Sequence, residues 1–277
     1  MQNIPIDTRH LFKPLQNELI LLLQTLSEDD WHKQTVAKQW KVKDVASHML
    51  DTQLRVLSMQ RDSYFGERPP QIESYEDMIK WLNELNYDWV KATKRLSPAT
   101  LILLLESIGG LVTDYYESLK PWDKAIFSVA WAGESKSYNW MHVAREYTEY
   151  WHHQQQIRDA VGKQGIMSKT YFHPVIDTFF QALPYTFKNV EAPLNTLIKV
   201  EITSEAGGVW FLKRALKEWK LEKDSTEKPS ASVTIPVEIS WVLFSKSVRP
   251  NEIMDKITME GDAKFARHVL EMVSVMA

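Results

Sequence analysis

The sequence predicts a multidomain protein: an all-α bundle of four or five long helices, followed by a smaller α+β unit. Three observations carry this. Apolar residues recur at helical spacing through the first 160 or so residues. The pattern then changes to short alternating runs separated by Gly and Pro. Between the two lies a polar stretch, Lys163–Lys169, containing Gly165. The predicted boundaries are 1–162 for the bundle and 170–277 for the α+β unit.

The first helix runs from about Ile6 to Leu26, with Leu11, Leu15, Leu19, Leu22 and Leu23 as its buried stripe. Asp7 or Thr8 can cap it, and Ser27–Asp30 ends it. A second spans roughly Val42–Tyr64. On it Val45, Met49, Val56 and Met59 lie with or beside His48, while Asp51, Arg55 and Arg61 read as solvated. Phe65–Pro70 is a loop. Ser74 caps a third helix to about Leu96. Ser97-Pro98, an N-cap followed by a proline at the first helical position, opens a fourth to about Leu119, with a possible kink at Gly109-Gly110. Pro121–Ser137 shows no helical period and reads as an irregular connection with a strand-like run, Ile126–Trp131. The last bundle helix, Asn139–Val161, is uninterrupted by Gly or Pro, and Gly162 stops it.

In the second half a helix at about Pro174–Asn189 precedes strands at Leu197–Thr203, Val209–Arg214, Trp219–Lys223, Ala231–Ile235 and Ile257–Glu260. A helix follows Pro236-Val237, Arg249-Pro250-Asn251 restarts a short one, and Gly261-Asp262 opens a last one to about Met276. The expectation is a small antiparallel sheet with helices on one side.

Composition narrows the chemistry. The chain has 277 residues, enough for two cores, with 44% hydrophobic and 25% charged residues. A net charge of −3 and a pI near 6.3 argue against an obligate nucleic-acid binder. There is no cysteine, so disulfides, thiolate ligands and a cysteine nucleophile are excluded, and any metal would sit on N and O donors. The apolar runs Leu19–Leu26 and Leu101–Val112 are too short to span a membrane. The N-terminus lacks the pattern of a secretory signal. A cytoplasmic location is the expectation.

The chemistry-bearing stretch is Trp140–Gly162, which holds His142, Glu146, Glu149, His152 and His153. Glu149 and His153 are four apart and share a helix face, so both could ligate one divalent ion. His48 is the candidate third ligand, from another helix. His142 and Glu146 form a rival pair. The bland reading of each pair is a solvated helix-surface contact, and of His48 a core-edge histidine bonded to backbone.

A resemblance joins these pieces. Trp40-x-x-x-Asp44-Val45-x-x-His48 resembles the tryptophan–helix–histidine entry of DinB-like bundle proteins. More narrowly, it resembles the N-terminal domain of the mycothiol-dependent maleylpyruvate isomerase family. Glu149-x-x-x-His153-x-x-Gln156-Ile157-Arg158-x-Ala160-x-Gly162 is similar to that family's Glu-x-x-x-His-x-x-Asp segment. Val233-x-Ile235, Trp241-x-x-Phe244, Ile257-x-x-Glu260-Gly261-Asp262 and Leu270 resemble the sterol-carrier-like C-terminal domain often fused to it.

The resemblance implies a DinB-type four-helix bundle with a divalent metal on His48, Glu149 and His153. Zinc is the first choice and nickel the alternative, with an open position for water. It also implies a low-molecular-weight thiol as cosubstrate and a thiol-dependent isomerase or S-transferase acting on a small electrophile, with metal-bound water or thiolate as the reactive group. His152 becomes a flank, exposed or behind the ligands, and Gln156 a supporting residue where the family commonly has Asp. Gln39 stands where Gly is frequent before Trp40. Arg214 is a candidate contact for a substrate or thiol, against a solvated strand-end reading. Arg158 reads as structural. Partners would be small molecules, without nucleic acid or membrane, and a homodimer is compatible. Two non-enzyme readings remain open: a non-catalytic metal-binding module, and an apolar-ligand carrier lined by Phe179, Phe180, Trp210, Phe211 and Trp241.

Overall fold

The computed structural model describes residues 3–66 and 70–274. After a 3-10 turn at Arg9–Leu11, helix α1 spans Phe12–Gln24 and the short α2 Glu28–Trp31. The Ser27 cluster that ends α1 also starts α2, through a reciprocal Ser27–Asp30 capping box. Helix α3 covers Val42–Arg55 and runs on as a π-helical turn, Val56–Arg61. Helix α4 is Tyr75–Thr93, with a Ser74–Asp77 capping box, and α5 is Pro98–Ser118, with Ser97 as its N-cap. Helix α6 is Asn139–Val161, closed by Gly162 in the left-handed region at φ 69°. Helices α1, α3, α5 and α6 pack on one another as a four-helix bundle, and α4 leans on α3 from outside. No described helix is long and apolar enough to cross a membrane.

The expected kink at Gly109-Gly110 is not there: α5 is one continuous helix. Gly109 serves packing instead. Gln16 of α1 lies against its Cα and donates from Nε2 to the Leu105 carbonyl at 2.9 Å. Gln53 of α3 donates in turn to Gln16 (3.1 Å) and to the Tyr150 hydroxyl of α6 (2.8 Å), so one buried amide chain ties four helices together. A second correction concerns Asp51. It is buried rather than solvated, because Arg55 one turn on supplies an ion pair at 2.8 Å. The run Ile126–Trp131 forms no strand; it holds only a 3-10 turn at Ala130–Ala132.

Helix α7 is Lys169–Phe180, so it starts before Pro174 and carries that proline inside; the short α8 is Leu183–Thr186. Strands β1 (Leu197–Ile202), β2 (Gly208–Arg214), β3 (Trp219–Glu222), β4 (Ala231–Ile235) and β5 (Thr258–Gly261) form one sheet in the order β3-β2-β1-β4-β5. The sheet is mixed, not antiparallel, because β4 returns alongside β1 in parallel. A chain that has spent one edge of β1 on the β1–β2 hairpin can only pair its other edge, and the segment before β4 brings it back in the same direction. Helix α9 (Val237–Phe244) lies between β4 and β5, and α10 (Ala263–Val269) ends earlier than expected; Met276 falls outside the described residues. Ile198, Val200 and Ile202 are buried on the same face as Trp210, Leu212, Val233 and Ile235. Lys199 and Glu201 take the other face, so the helices cover one side.

The two halves share a core. Trp151 of α6 is fully buried, donates to the Ile166 carbonyl at 2.9 Å and packs on Phe172 of α7 and Trp241 of α9. Arg158 pairs with Glu18 of α1 at 3.0 Å.

The two neighbouring glycines of α5 separate packing from propensity. Gly109→Ala is expected to lower unfolding stability by about 1–3 kcal/mol, because the added methyl meets the buried Gln16 side chain. Gly110→Ala, where a Cβ would meet nothing within 4 Å, is expected to raise it by roughly 0.5–1 kcal/mol. Urea unfolding of both variants checks the contrast.

Candidate functional site

One face of α6 carries His142, Glu146, Glu149 and His153 at three- and four-residue steps, so the four side chains form a stripe along the bundle interior. Its two halves are neutralised in different ways. In the N-terminal half, Arg145 reaches Glu146 at 2.6 Å and donates to His142 Nδ1 at 3.0 Å. Gln60 completes the set: its Oε1 lies 2.9 Å from His142 Nε2, and its Nε2 donates to Glu146 at 3.1 Å. Gln60 sits in the π-helical turn, a wider helix form frequent at functional sites. Burial pushes Glu146 up, but Arg145, His142 and Gln60 outweigh it and its carboxyl lies below the usual range. Burial and then Arg145 drive His142 down to about 4, so it is neutral. This rival pair is saturated by a guanidinium and an amide.

The C-terminal half lacks such support. Glu149 keeps 26% of its side-chain surface exposed, and its nearest charged-type partner is His153 Nε2, 3.8 Å from Oε2. Burial raises its carboxyl to about 7, against the pull of Arg145. His153 meets His48 of α3 edge-to-face, ring centres 4.7 Å apart, and Trp40 lies over His48 at 4.6 Å. His48 is held well below its ordinary value by burial, with His153 and Arg55 adding to it, and its Nδ1 is buried without a hydrogen-bond partner. Burial also lowers His153, against its bond to Gln156. His48 and His153, both neutral, thus lie together, and Glu149 beside His153 accepts no hydrogen bond from any described residue.

Gln156 links the neighbouring histidines. Its Oε1 lies 3.0 Å from His153 Nδ1 and its Nε2 lies 3.3 Å from His152 Nε2. An amide oxygen can only accept and an amide nitrogen only donate, so the proton of His153 sits on Nδ1 and its Nε2 lone pair is free on the Glu149 side. His152 is buried, not exposed, edge-on to Trp241 at 5.7 Å, and burial drives it down to about 3. These side chains offer two imidazole nitrogens and a carboxylate, a donor set suited to a divalent metal. Among the described residues, no three His, Asp or Glu side chains converge closely enough to hold one as they stand.

Arg214 is not brought to this cluster. It ends β2 beside Trp219, whereas α9 and Trp241 follow the opposite end of the sheet, where Ile202 pairs with Gly208 and Ile235. Of the residues named for an apolar cavity, Phe179 and Phe180 are fully buried, Phe180 stacks on Trp210 at 4.3 Å and Trp241 is buried, whereas Phe211 takes the other face of the sheet, opposite Lys199. Sequence reasoning missed Gln60 and Arg145. Arg145 stands next to Glu146 in the chain, a signal that was available. Gln60 had none, because its approach depends on the π turn.

A family model described as the mycothiol maleylpyruvate isomerase N-terminal domain matches residues 12–158, just over half of the chain. The crystal structure of the mycothiol-dependent maleylpyruvate isomerase is similar over 92% of this chain and 92% of its own, with TM-score 0.54 and 10% identity. A mutant of that enzyme aligns over the same shares with TM-score 0.54 and 9% identity. Sterol carrier protein 2 like 2 from Aedes aegypti covers 35% of this chain and 95% of its own at 18% identity, with TM-score 0.28. No curated protein sequence matches the chain. The likeness at 92% coverage shows a shared fold for both halves.

The unsupported carboxylate has a pH signature. With its folded-state pKa raised to about 7, Glu149 holds a proton that the unfolded chain releases near 4.5, the ordinary value for a glutamate. Its contribution to stability is therefore present below that value and is lost as pH rises toward 7. Glu149→Gln is expected to remove this loss, gaining roughly 1–3 kcal/mol on metal-free wild type between pH 5 and 7.5, as read by urea unfolding.

Proposed function

The chain belongs to the mycothiol maleylpyruvate isomerase N-terminal domain family, and from that premise we propose that it is a metal-dependent, thiol-using isomerase or S-transferase acting on a small electrophile. The observation that carries the reading is Glu149, a mostly buried carboxyl beside the neutral imidazole of His153, which in turn meets His48, with no hydrogen bond to it from any described residue. A group so placed costs stability unless something neutralises it. The neighbouring Glu146 has Arg145 and Gln60 for that purpose; Glu149 has no such donor among the described residues.

His48, Glu149 and His153 would hold the metal. The chemistry of the donors fits even though the side chains are not gathered. When bound, a zinc or nickel ion would lower the pKa of a coordinated thiol or water toward neutrality. The chain's own residues prepare the place. Gln156 keeps the His153 proton on Nδ1 and so leaves Nε2 able to ligate. Trp40 covers His48 and shields that ring from water. Arg145 keeps Glu146 ionised and bound, so the upper pair does not compete for the ion. The cosubstrate would be a low-molecular-weight thiol, as the family implies, and the absence of cysteine from the chain is compatible with that. The bundle, 1–162, would supply this centre, and the α+β unit, 170–277, would close it through Trp241 against His152.

Elemental analysis of protein purified without chelator or nickel resin tests the centre. The expected result is one divalent ion per chain, lost in His153→Ala. No metal in the parent, together with no rise in melting temperature on adding zinc, would overturn it. Gln156→Leu is expected to weaken zinc affinity by about 10–100-fold while leaving the fold intact, as read by competition with a chromogenic chelator.

A further inference from the structure

His152 stands next to a proposed metal ligand without being one. It is buried where α6 meets α9 of the α+β unit, and its hydrogen-bond partner is the side-chain amide of Gln156. We propose that His152 is a positioning residue for His153, acting through that amide to fix which nitrogen of His153 is free to bind a metal. The consequence for a metal rests on the function proposed above; the consequence for the proton on His153 does not.

An amide side chain is nearly symmetric in shape but not in chemistry. Turned one way, Gln156 offers its oxygen to His153; turned the other way, it offers its NH2 group. The first leaves the His153 proton on Nδ1 and a lone pair on Nε2, the second moves the proton to Nε2 and closes that nitrogen to a metal. His153 by itself leaves the choice open, because Glu149 Oε2 stands 3.8 Å from its Nε2, too far to fix the ring's proton. His152 supplies the deciding contact. Its Nε2 lies 3.3 Å from Gln156 Nε2, so a lone pair there holds the NH2 group and leaves the oxygen for His153 Nδ1, 3.0 Å away.

The proton of His152 is then on Nδ1, which is buried and has no hydrogen-bond partner among the described residues. The ring beside it is the Trp241 indole, centres 5.7 Å apart and inclined at 63°. An aromatic face can receive an N–H and has nothing to donate to a lone pair, so this neighbour favours the same arrangement. The α+β unit thereby takes part in orienting a side chain of the bundle. Packing alone does not call for a histidine here. An apolar ring would fill the place against Trp241 without burying an unpaired N–H, which costs stability. The lone pair toward Gln156 is what an apolar ring cannot supply.

The test uses the full chain stripped of metal by chelator, with isotope-labelled histidine at neutral pH. Nitrogen chemical shifts of the His152 and His153 rings report which nitrogen of each carries the proton. The expected parent pattern is a proton on Nδ1 in both. His152→Phe keeps a ring against Trp241 but removes the acceptor, and the His153 proton is expected to move wholly or partly to Nε2. His152→Gln, whose side-chain oxygen can stand in for Nε2, is expected to restore the parent pattern. Zinc affinity is expected to follow, about tenfold weaker in His152→Phe and recovered in His152→Gln. A proton on Nε2 of His152 in the parent would overturn the inference with no variant at all, so it is decided even if His152→Phe fails to fold. A His153 proton that stays on Nδ1 in His152→Phe, or two variants that behave alike, would overturn it as well. The expected tautomers in a chain that binds no zinc would support it and sink the metal centre alone.

Discussion

The helical half is organised by the need to neutralise a row of ionisable side chains that α6 turns into the bundle. Ionised groups that lose water must gain hydrogen bonds, opposite charge or a changed protonation state. Glu146 takes the first two, from Gln60 and Arg145, and His142 takes hydrogen bonds from the same pair and is neutral as well. His48, His152 and His153 take the third and are neutral. Glu149 is the remainder: burial pushes it toward the protonated form, and no donor among the described residues answers it. Two carboxylates one turn apart on one helix face therefore behave oppositely, and the difference lies in what stands across from them.

What stands across is α3 with its π-helical extension. The α-helical part brings His48 opposite His153, and the π turn brings Gln60 opposite His142 and Glu146. The buried Gln16–Gln53–Tyr150 chain sets the spacing of α1, α3 and α6, and Gly109 lets α1 close on α5. The α+β half completes the surroundings: Trp241 closes on His152, and Trp151 joins the two cores. Gln156 is the chain's departure from the family pattern, and its geometry gives that departure a use. An Asp could accept from His153 but could not donate to His152; the amide does both.

Much of this was legible in the chain. The long helices, the caps at Ser74 and Ser97, the Gly162 stop and all five strands follow from periodicity and capping chemistry, which are local. Glu149 and His153 pair by helix spacing alone, and with His48 they stand out through motifs that a bundle of this family repeats. The sequence also determined what chemistry is available: no thiolate, so nitrogen and oxygen donors only.

Tertiary structure decided the rest, because each remaining point depends on partners far apart in the chain. The parallel pairing of β4 with β1 is a long-range choice that no strand announces. Asp51 looked solvated until the bundle buried it against Arg55. Spacing could not choose between His142–Glu146 and Glu149–His153, since the two pairs are equivalent along α6. Only the arrival of Arg145 and Gln60 at one pair, and of His48 at the other, makes them different, since a charge takes its energy from its surroundings rather than from its position in sequence.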